Sequence, residues 1–266
     1  MAEQKHMLYF MGNINGDIKL FRQVWIFIKE YLSEGPATIF ISGNFGLNNS
    51  KFLDDISSEI RGLVEIHVAG GNQAKEGWDI LPPPLRGKKE VRPGIFVHAF
   101  GSTHTIQGYT TLFLGQSEAI PEDFLPYPKR IIYDIRPKYL QMCDATEIIE
   151  KVNPDILVSH ALPSKVMSSF LKKNTDEKDL RRKRLADRII PSLDTLYVLL
   201  NRQKVKQRWW FGASCNVLGN VKNSKNINFI SLCSLIMVRG SMASLEINSF
   251  QNGNLQSSSI GNLAYA

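Results

Sequence analysis

Cysteine is scarce in this chain of 266 residues, and its few copies are widely spaced. The three cysteines are Cys143, Cys215 and Cys233, and no two of them form a CxxC pair. This spacing argues against a thiolate zinc site and against a disulfide framework. It suits a reducing compartment, so we expect an intracellular protein, most simply a cytoplasmic one.

Long apolar runs are also missing. No stretch approaches the ~18 consecutive apolar residues of a membrane-spanning helix. Residues 1–6 contain no apolar core of a secretory signal, so we do not expect secretion. Hydrophobic residues nevertheless make up 43% of the chain, which is enough for a sizeable core and excludes wholesale disorder.

Basic residues outnumber acidic ones, with 32 Lys and Arg against 25 Asp and Glu and a net charge of +7. A surplus of that size favours anionic partners such as RNA, DNA, a membrane surface or an acidic protein face. Many proteins without such a partner carry a similar charge, so the charge alone decides nothing.

Apolar periodicity in the N-terminal part alternates between strands and helices. Strands are predicted at 7–11, 38–42 and 64–68, with helices at 17–32 and around 52–60. This alternation is typical of parallel βαβ units and therefore predicts an α/β fold. We expect the side chain of Asp17 to cap the helix that follows it.

The pattern changes after Arg92. The segments 94–100 and 110–114 predict an antiparallel hairpin. Further helices and strands are predicted at 139–152, 155–159, 164–201, 208–211, 227–231 and 244–247. A single domain over residues 1–247, including a basic helical segment at 164–201, is expected to precede a flexible polar tail at 248–266.

Glycine- and asparagine-rich turns follow several of the predicted strands, and in α/β sheets the ligand crevice lies beyond those strand ends. Either residue tolerates positive φ after a strand, which explains one such turn but not a series of them. We expect the turns to converge on one place. They are Gly12–Asp17, Gly43–Gly46, Gly70–Gln73, Ser159–Pro163 and Gly212–Asn216.

In order and spacing these turns resemble the motifs of the calcineurin-like metallophosphoesterase superfamily, over roughly residues 7–235. That family strings together GDxH, GD, GNH, a His before a Pro-containing turn, and GHxH. Its members hold two metals that activate a hydroxide against a phosphoester. The resemblance implies a four-layer α/β/β/α sandwich of two mixed sheets flanked by helices.

Most positions that bind metal in that family carry poor ligands here. A dinuclear hydrolytic site needs carboxylates to offset the charge of two cations ~3.5–4 Å apart, and neutral amides do not supply that charge. The resemblance therefore implies a degenerate site with no catalytic residue, no metal and no cofactor. Its positions are Asn13, Asn15, Asn44, Asn72, Gln73, His160, Ala213 and Cys215, of which Asn72 and His160 match the family.

Two alternatives remain open for this site. One is an active phosphoesterase that hydrolyses a phosphodiester or phosphomonoester with an atypical site for Mn, Fe or Zn. The other is a phosphate- or nucleotide-sensing module in which loop amides and His160 hold a phosphate. Without its partner ligands, His160 is better interpreted as a structural histidine. We assign no role to His67, His98 or His104, which match no motif.

Basic residues are concentrated near the predicted helical segment. They are Arg181, Arg182, Lys183 and Arg184, followed by Lys204, Lys206 and Arg208. One interpretation is a solvated helix face, and the other is a surface that contacts phosphate backbones. The leading hypothesis is a catalytically inactive binding or scaffold subunit of a larger protein or ribonucleoprotein assembly. RNA or an acidic protein surface would be its partner.

Overall fold

A computed structural model describes most of the chain up to residue 259. The described residues are 7–12, 14, 16–31, 37–43, 45–69, 87–106, 108–115, 139–174, 191–203, 208–213, 219–222, 227–232, 246–251 and 254–259. The helices are α1 (Ile18–Tyr31), α2 (Ser50–Ile60), α3 (Tyr139–Lys151), α4 (Ser164–Asn174) and α5 (Pro191–Arg202). The strands are β1 (Met7–Met11), β2 (Ala37–Ser42), β3 (Val64–Ala69), β4 (Lys88–Arg92), β5 (Ile95–His98), β6 (Ser102–Ile106), β7 (Tyr109–Leu114), β8 (Ile156–Ser159), β9 (Arg208–Gly212), β10 (Gly219–Lys222), β11 (Ile227–Ser231), β12 (Glu246–Gln251) and β13 (Asn254–Ser259).

The strands form two mixed sheets and a separate hairpin. The first sheet has the order β1-β2-β3-β5-β4, in which β4 is antiparallel to β5 and the other neighbours are parallel. The second has the order β10-β11-β9-β8-β7-β6, with β10 and β6 as antiparallel edges. The parallel β1–β2 and β2–β3 pairs confirm the βαβ units that the sequence predicts.

Three apolar clusters account for the layering of these elements. One joins α1 and α2 to the first sheet, and another joins α3, α4 and α5 to the second. The third lies between the sheets and contains Phe10, Phe40, Phe113 and Phe211. Phe10 and Phe211 stack across this layer with ring centroids 3.7 Å apart. The protein is thus an α/β fold of two face-to-face mixed sheets with helices packed on their outer sides.

Helix α1 illustrates how the sequence pattern produces this packing. Phe21, Val24, Trp25 and Ile28 recur at helical spacing and are all buried against the first sheet. The Oδ1 atom of Asp17 accepts hydrogen bonds from the backbone amides of Lys19 (2.9 Å) and Leu20 (3.1 Å). The predicted N-terminal cap is therefore confirmed.

The predicted hairpin between 94–100 and 110–114 is wrong. Strand β5 pairs in parallel with β3 in the first sheet, whereas β7 pairs with β6 in the second. The chain crosses between the sheets at Gly101, whose φ is +81° and whose added Cβ would lie 2.9 Å from the carbonyl oxygen of Gln141. A turn that only glycine accommodates thus leads the chain from the first sheet into the second, so the two segments predicted to pair in one hairpin lie in different sheets.

Strand β4 is an edge strand that the sequence pattern does not predict. Lys88, Lys89 and Glu90 are exposed, and the register shifts between Glu90 and Arg92 in a β-bulge. A charged sequence of this kind lacks the apolar alternation by which strands are recognised.

The hairpin of β12 and β13 lies in the region for which the sequence predicts a flexible tail. Polar composition does not prevent this pairing, because the ladder is built from backbone groups that every residue except proline carries in full. Among the described residues, no helix combines the length and apolar character needed to cross a membrane.

Candidate functional site

The turns after β1 and β2 are locked against each other. The amide of Gly16 donates to the carbonyl of Phe45 at 3.0 Å. Gly46 has a φ of +111°, and a Cβ on it would lie 2.5 Å from the Cα of Gly16. A side chain at position 46 would therefore collide with the backbone of Gly16, whereas a Cβ on Gly16 would lie 3.7 Å from the Cα of Gly46. Gly46 thus permits the close contact between the two turns.

The ends of β8 and β9 meet in the same way in the second sheet. The amide of Ala213 donates to the carbonyl of His160 at 2.9 Å. The hydroxyl of Ser42, at the end of β2, donates to the carbonyl of Ser159, at the end of β8. This hydrogen bond joins the two sheets at their carboxyl ends. The turns after β1, β2, β8 and β9 thus converge as predicted, and we call this place the strand-end crevice.

His160 is a residue with ligand chemistry that the structure describes in the strand-end crevice, whereas the carboxylate of Asp17 in the first turn caps α1. Its side chain is buried, and its Nδ1 has no hydrogen-bond partner among the described residues. Burial lowers the pKa of His160 to about 4, so the ring is neutral at pH 7. Ala213, where the resembled family has a histidine, is fully buried and offers no side-chain ligand. Within the described residues, no group of three metal-type side chains includes His160.

The remaining predicted positions of the crevice and of the basic surface lie outside the described residues. They are Asn13, Asn15, Asn44, Asn72, Gln73, Cys215, Arg181, Arg182, Lys183, Arg184, Lys204 and Lys206. Their predicted roles stay predictions. The residues that are described do not fit a dinuclear metal centre, because one neutral imidazole beside an alanine gives neither the charge nor the donors.

Arg208 requires a correction, because the sequence analysis assigns it to a basic surface. Its side chain is buried, and its Nη2 donates to the side-chain oxygens of Asn153 and Gln203. Burial lowers the pKa of Arg208, an effect that the nearby Asp155 opposes. A buried guanidinium that donates to the amide oxygens of two partly buried side chains does not face a nucleic acid. Arg208 therefore belongs to the core at the start of β9.

A second cluster of polar side chains, to which the sequence assigns no role, lies between the two sheets. Glu65 and His67 project from the same face of β3, His98 ends β5, and His104 comes from β6 of the second sheet. We call these four residues the histidine group. The rings of His67 and His104 stack with centroids 4.2 Å apart, and His98 stacks on Phe113 at 3.6 Å.

Hydrogen bonds run through this group in sequence. His67 Nε2 lies 3.0 Å from Glu65 Oε2, and His67 Nδ1 lies 2.8 Å from His98 Nε2. His98 Nδ1 lies 3.2 Å from the hydroxyl of Ser102, which donates to the carbonyl of Ala99 at 2.8 Å. The side chains of Glu65 and His67 differ sharply in exposure, at 52% and 0%. The chain of hydrogen bonds therefore leads from solvent into the interior.

Burial keeps these rings uncharged. It is the main cause that lowers the pKa of His67 to about 2, of His98 to about 3 and of His104 to about 4. Neighbouring rings and the ammonium of Lys88 lower the pKa values of His67 and His98 further, and Lys88 also lowers that of His104. The contact between His67 and Glu65 is thus one between a neutral imidazole and a carboxylate at pH 7.

No family model matches the chain, and no curated protein matches it in sequence. The resemblance to metallophosphoesterases therefore stays a prediction from the strand-end turns of the sequence.

Proposed function

We propose that this protein is a catalytically inactive relative of the calcineurin-like metallophosphoesterases, with their four-layer α/β/β/α sandwich. In this proposal it serves as a binding or scaffold subunit of a larger protein or ribonucleoprotein assembly. The strand-end crevice is its vestigial site and holds no catalytic metal. Other parts of the chain bind the partner, and we propose that the basic cluster Arg181–Arg184 is one of them.

The observation that carries the proposal is the pairing of His160 with Ala213. Their backbones are hydrogen-bonded, so the two strand ends stand in register where the family's last two motifs would meet. One of them offers a buried neutral imidazole and the other a methyl group. Two metal ions need bridging carboxylates, which neither position supplies. The convergence of four strand ends supports a metallophosphoesterase-like architecture that lacks the metal ligands.

The catalytic half of the proposal is tested by phosphoesterase assays with Mn²⁺ on the full chain. We expect no turnover of p-nitrophenyl phosphate or bis-p-nitrophenyl phosphate above the rate of buffer and metal. Hydrolysis that disappears in His160→Ala, while melting temperature is kept, would establish the alternative of an active phosphoesterase. Activity equal in wild type and His160→Ala marks a contaminating enzyme and leaves the crevice without a role in hydrolysis, as proposed.

The binding half is tested by a salt titration of affinity for a generic single-stranded RNA. A variant with Arg181, Arg182, Lys183 and Arg184 all changed to Gln should bind more weakly. Each phosphate contact that is lost should flatten the slope of log K against log salt by roughly 0.7–0.9. The matched control removes four other charges, by changing the exposed Lys19, Lys51, Lys89 and Lys165 to Gln. If the cluster variant and the control variant have the same affinity and the same salt slope, RNA contact by the cluster is excluded.

A further inference from the structure

The histidine group contains a donor set that zinc proteins use. Glu65, His67 and His104 each offer one ligand atom, and these three atoms lie within 4.8 Å of one another. Two imidazoles and one carboxylate are the protein ligands of many catalytic zinc sites, in which water takes the fourth position. Two of the three come from β3 and the third from β6, so a bound ion would connect the two sheets.

The hydrogen-bond chain determines which atom of His67 is free to bind. The Ser102 hydroxyl has one proton and donates it to the Ala99 carbonyl at 2.8 Å, so it accepts from Nδ1–H of His98. The Nε2 of a neutral His98 then accepts from Nδ1–H of His67. A neutral His67 therefore presents an unprotonated Nε2, and this lone pair faces Glu65 Oε2 at 3.0 Å.

A lone pair that faces a carboxylate at hydrogen-bond distance is repulsive unless a proton or a cation lies between them. A third donor, His104, stands beside this contact. We propose that Glu65, His67 and His104 bind one divalent transition-metal ion, with zinc the best match to the donors, between the two sheets.

The same chain of hydrogen bonds supplies the outer shell that such sites need. A metal-binding histidine usually donates its other ring N–H to a fixed acceptor, which orients the ring. His98 is that acceptor for His67, and it is itself stacked on Phe113 and bonded to Ser102.

Binding requires a small closure of two of the ligands. Zinc–nitrogen and zinc–oxygen bonds of ~2.0–2.2 Å place tetrahedral ligand atoms about 3.4 Å apart, so ligand atoms that lie up to 4.8 Å apart must approach by up to about 1.4 Å. His67 is buried and fixed, whereas Glu65 is exposed and His104 is half-buried. The two side chains that must move are therefore the less buried ones.

Lys88 opposes binding. Its Nζ lies 4.3 Å from the ring centroid of Phe96, and the Phe96 ring stacks on His67 with centroids 5.1 Å apart, so its positive charge will repel a divalent cation at this site. Replacing Lys88 should therefore raise the affinity for zinc, whereas replacing a ligand should lower it.

The site is distinct from the strand-end crevice. Glu65 and His67 precede Ala69, the last residue of β3, by four and two residues and belong to the strand itself, not to the turn after it. The proposal goes beyond the proposed function and does not depend on it.

The test is a zinc titration of the untagged full chain, against a chromophoric chelator and by calorimetry. Wild type should bind one ion, and zinc should raise its melting temperature. Glu65→Gln keeps the shape of a half-exposed side chain and should lower affinity by more than ~10-fold, and His104→Gln should do the same. Lys88→Gln should raise affinity roughly 3- to 10-fold. Glu147→Gln, at an exposed carboxylate on α3, is the matched control and should change nothing.

Several results would overturn the proposal. One is wild-type protein that fails to bind zinc at one equivalent. Another is affinity equal to wild type in both Glu65→Gln and His104→Gln. Failure to bind zinc would mean that the Ser102 hydroxyl donates to His98 and that both histidines adopt the opposite tautomers. The Nε2 of His67 would then carry a proton that it donates to Glu65. Binding that is lost in His160→Ala but kept in Glu65→Gln would instead place the ion in the strand-end crevice, against both this proposal and the proposed function.

Discussion

The strand-end crevice and the histidine group stand in contrast within one inter-sheet layer. In the crevice, backbone hydrogen bonds and close glycines bring strand ends together, yet its described side chains include one neutral imidazole beside an alanine. In the histidine group, no loop motif marks the place, yet three ligand atoms converge. Backbone architecture and ligand chemistry are therefore separable, and the presence of one does not imply the other.

The largest loss of stability is expected for a substitution at Gly46, where the backbones of two crevice turns are in close contact. Gly46→Ala places a methyl group 2.5 Å from the Cα of Gly16 at a φ of +111°. We expect a loss of about 3 kcal/mol or more in the free energy of unfolding, because the two turns must separate. Urea denaturation measures this loss.

Gly62→Ala is the matched control for that substitution. Gly62 also has a positive φ, of +73°, but a Cβ on it would meet nothing within 4 Å. Its cost should be the backbone penalty alone, about 1–2 kcal/mol. Equal losses for the two variants would show that the close contact between the turns does not exist, and the crevice would lose its defining feature.

The next effect concerns the electrostatics of the crevice. The pKa of His160 is about 4 in the folded protein and near 6.5 when the chain is unfolded. Because the unfolded state takes up the proton first, stability is lost as the pH falls from 6.5 towards 4. His160→Asn removes this term, so its loss of stability between pH 7 and pH 5 should be smaller by about 2 kcal/mol.

Urea denaturation at pH 7 and pH 5, with a chelator present, measures that difference. The chelator matters because metal bound by the histidine group would add a pH dependence of its own. Wild type and His160→Asn with the same loss on acidification would show that His160 is protonated without cost. The crevice would then contain an anionic partner for the imidazole.

The smallest effect tests whether the acidic residue of the first turn belongs to the crevice or to the helix. Asp17→Ala should lower stability by about 1 kcal/mol, because it removes the cap on the amides of Lys19 and Leu20. Asp17→Asn or Asp17→Ser retains a capping oxygen and should recover most of the loss. Failure of both variants to do so would indicate that the carboxylate charge has a role beyond capping.

Helices and strands with strong apolar periodicity could be predicted from the sequence, whereas the polar strands at the sheet edges could not. Helices α1 and α2 bury one face each at helical spacing, and β1 to β3 are short apolar runs that end in glycine turns. In contrast, β4 (KKEVR) and β6 (STHTI) pair through backbone groups while their side chains remain largely polar. Their pairing partners, rather than their own composition, hold them in the sheets.

The histidine group was missed for a related reason. His67 and His98 are 31 residues apart and become neighbours through the parallel register of β3 and β5. His104 reaches them from the second sheet, after the turn at Gly101, which the sequence pattern predicts as part of a hairpin and not as a crossing between sheets. A weak signal exists in the Glu65-x-His67 spacing, which places two donors on one face of a strand. Without the third residue, that spacing carries no weight.

Arg208 shows the same limit for charged residues. Its neighbours in sequence, Lys204 and Lys206, make a basic surface the natural expectation. Its burial depends on side-chain oxygens of Asn153 and Gln203, and the first of these lies 55 residues away along the chain. Distant hydrogen-bond acceptors decided its position.

Strand β4 has one more consequence, which concerns association between copies of the chain. An open sheet edge exposes unpaired amides and carbonyls, to which a strand from another molecule can add. Here that edge consists of Lys88, Lys89 and Glu90, and the bulge before Arg92 breaks its regular ladder. Charged side chains and a bulge are the features by which natural proteins keep sheets from joining edge to edge. The strand that sequence patterning overlooks thus protects the first sheet from aggregation along its β4 side.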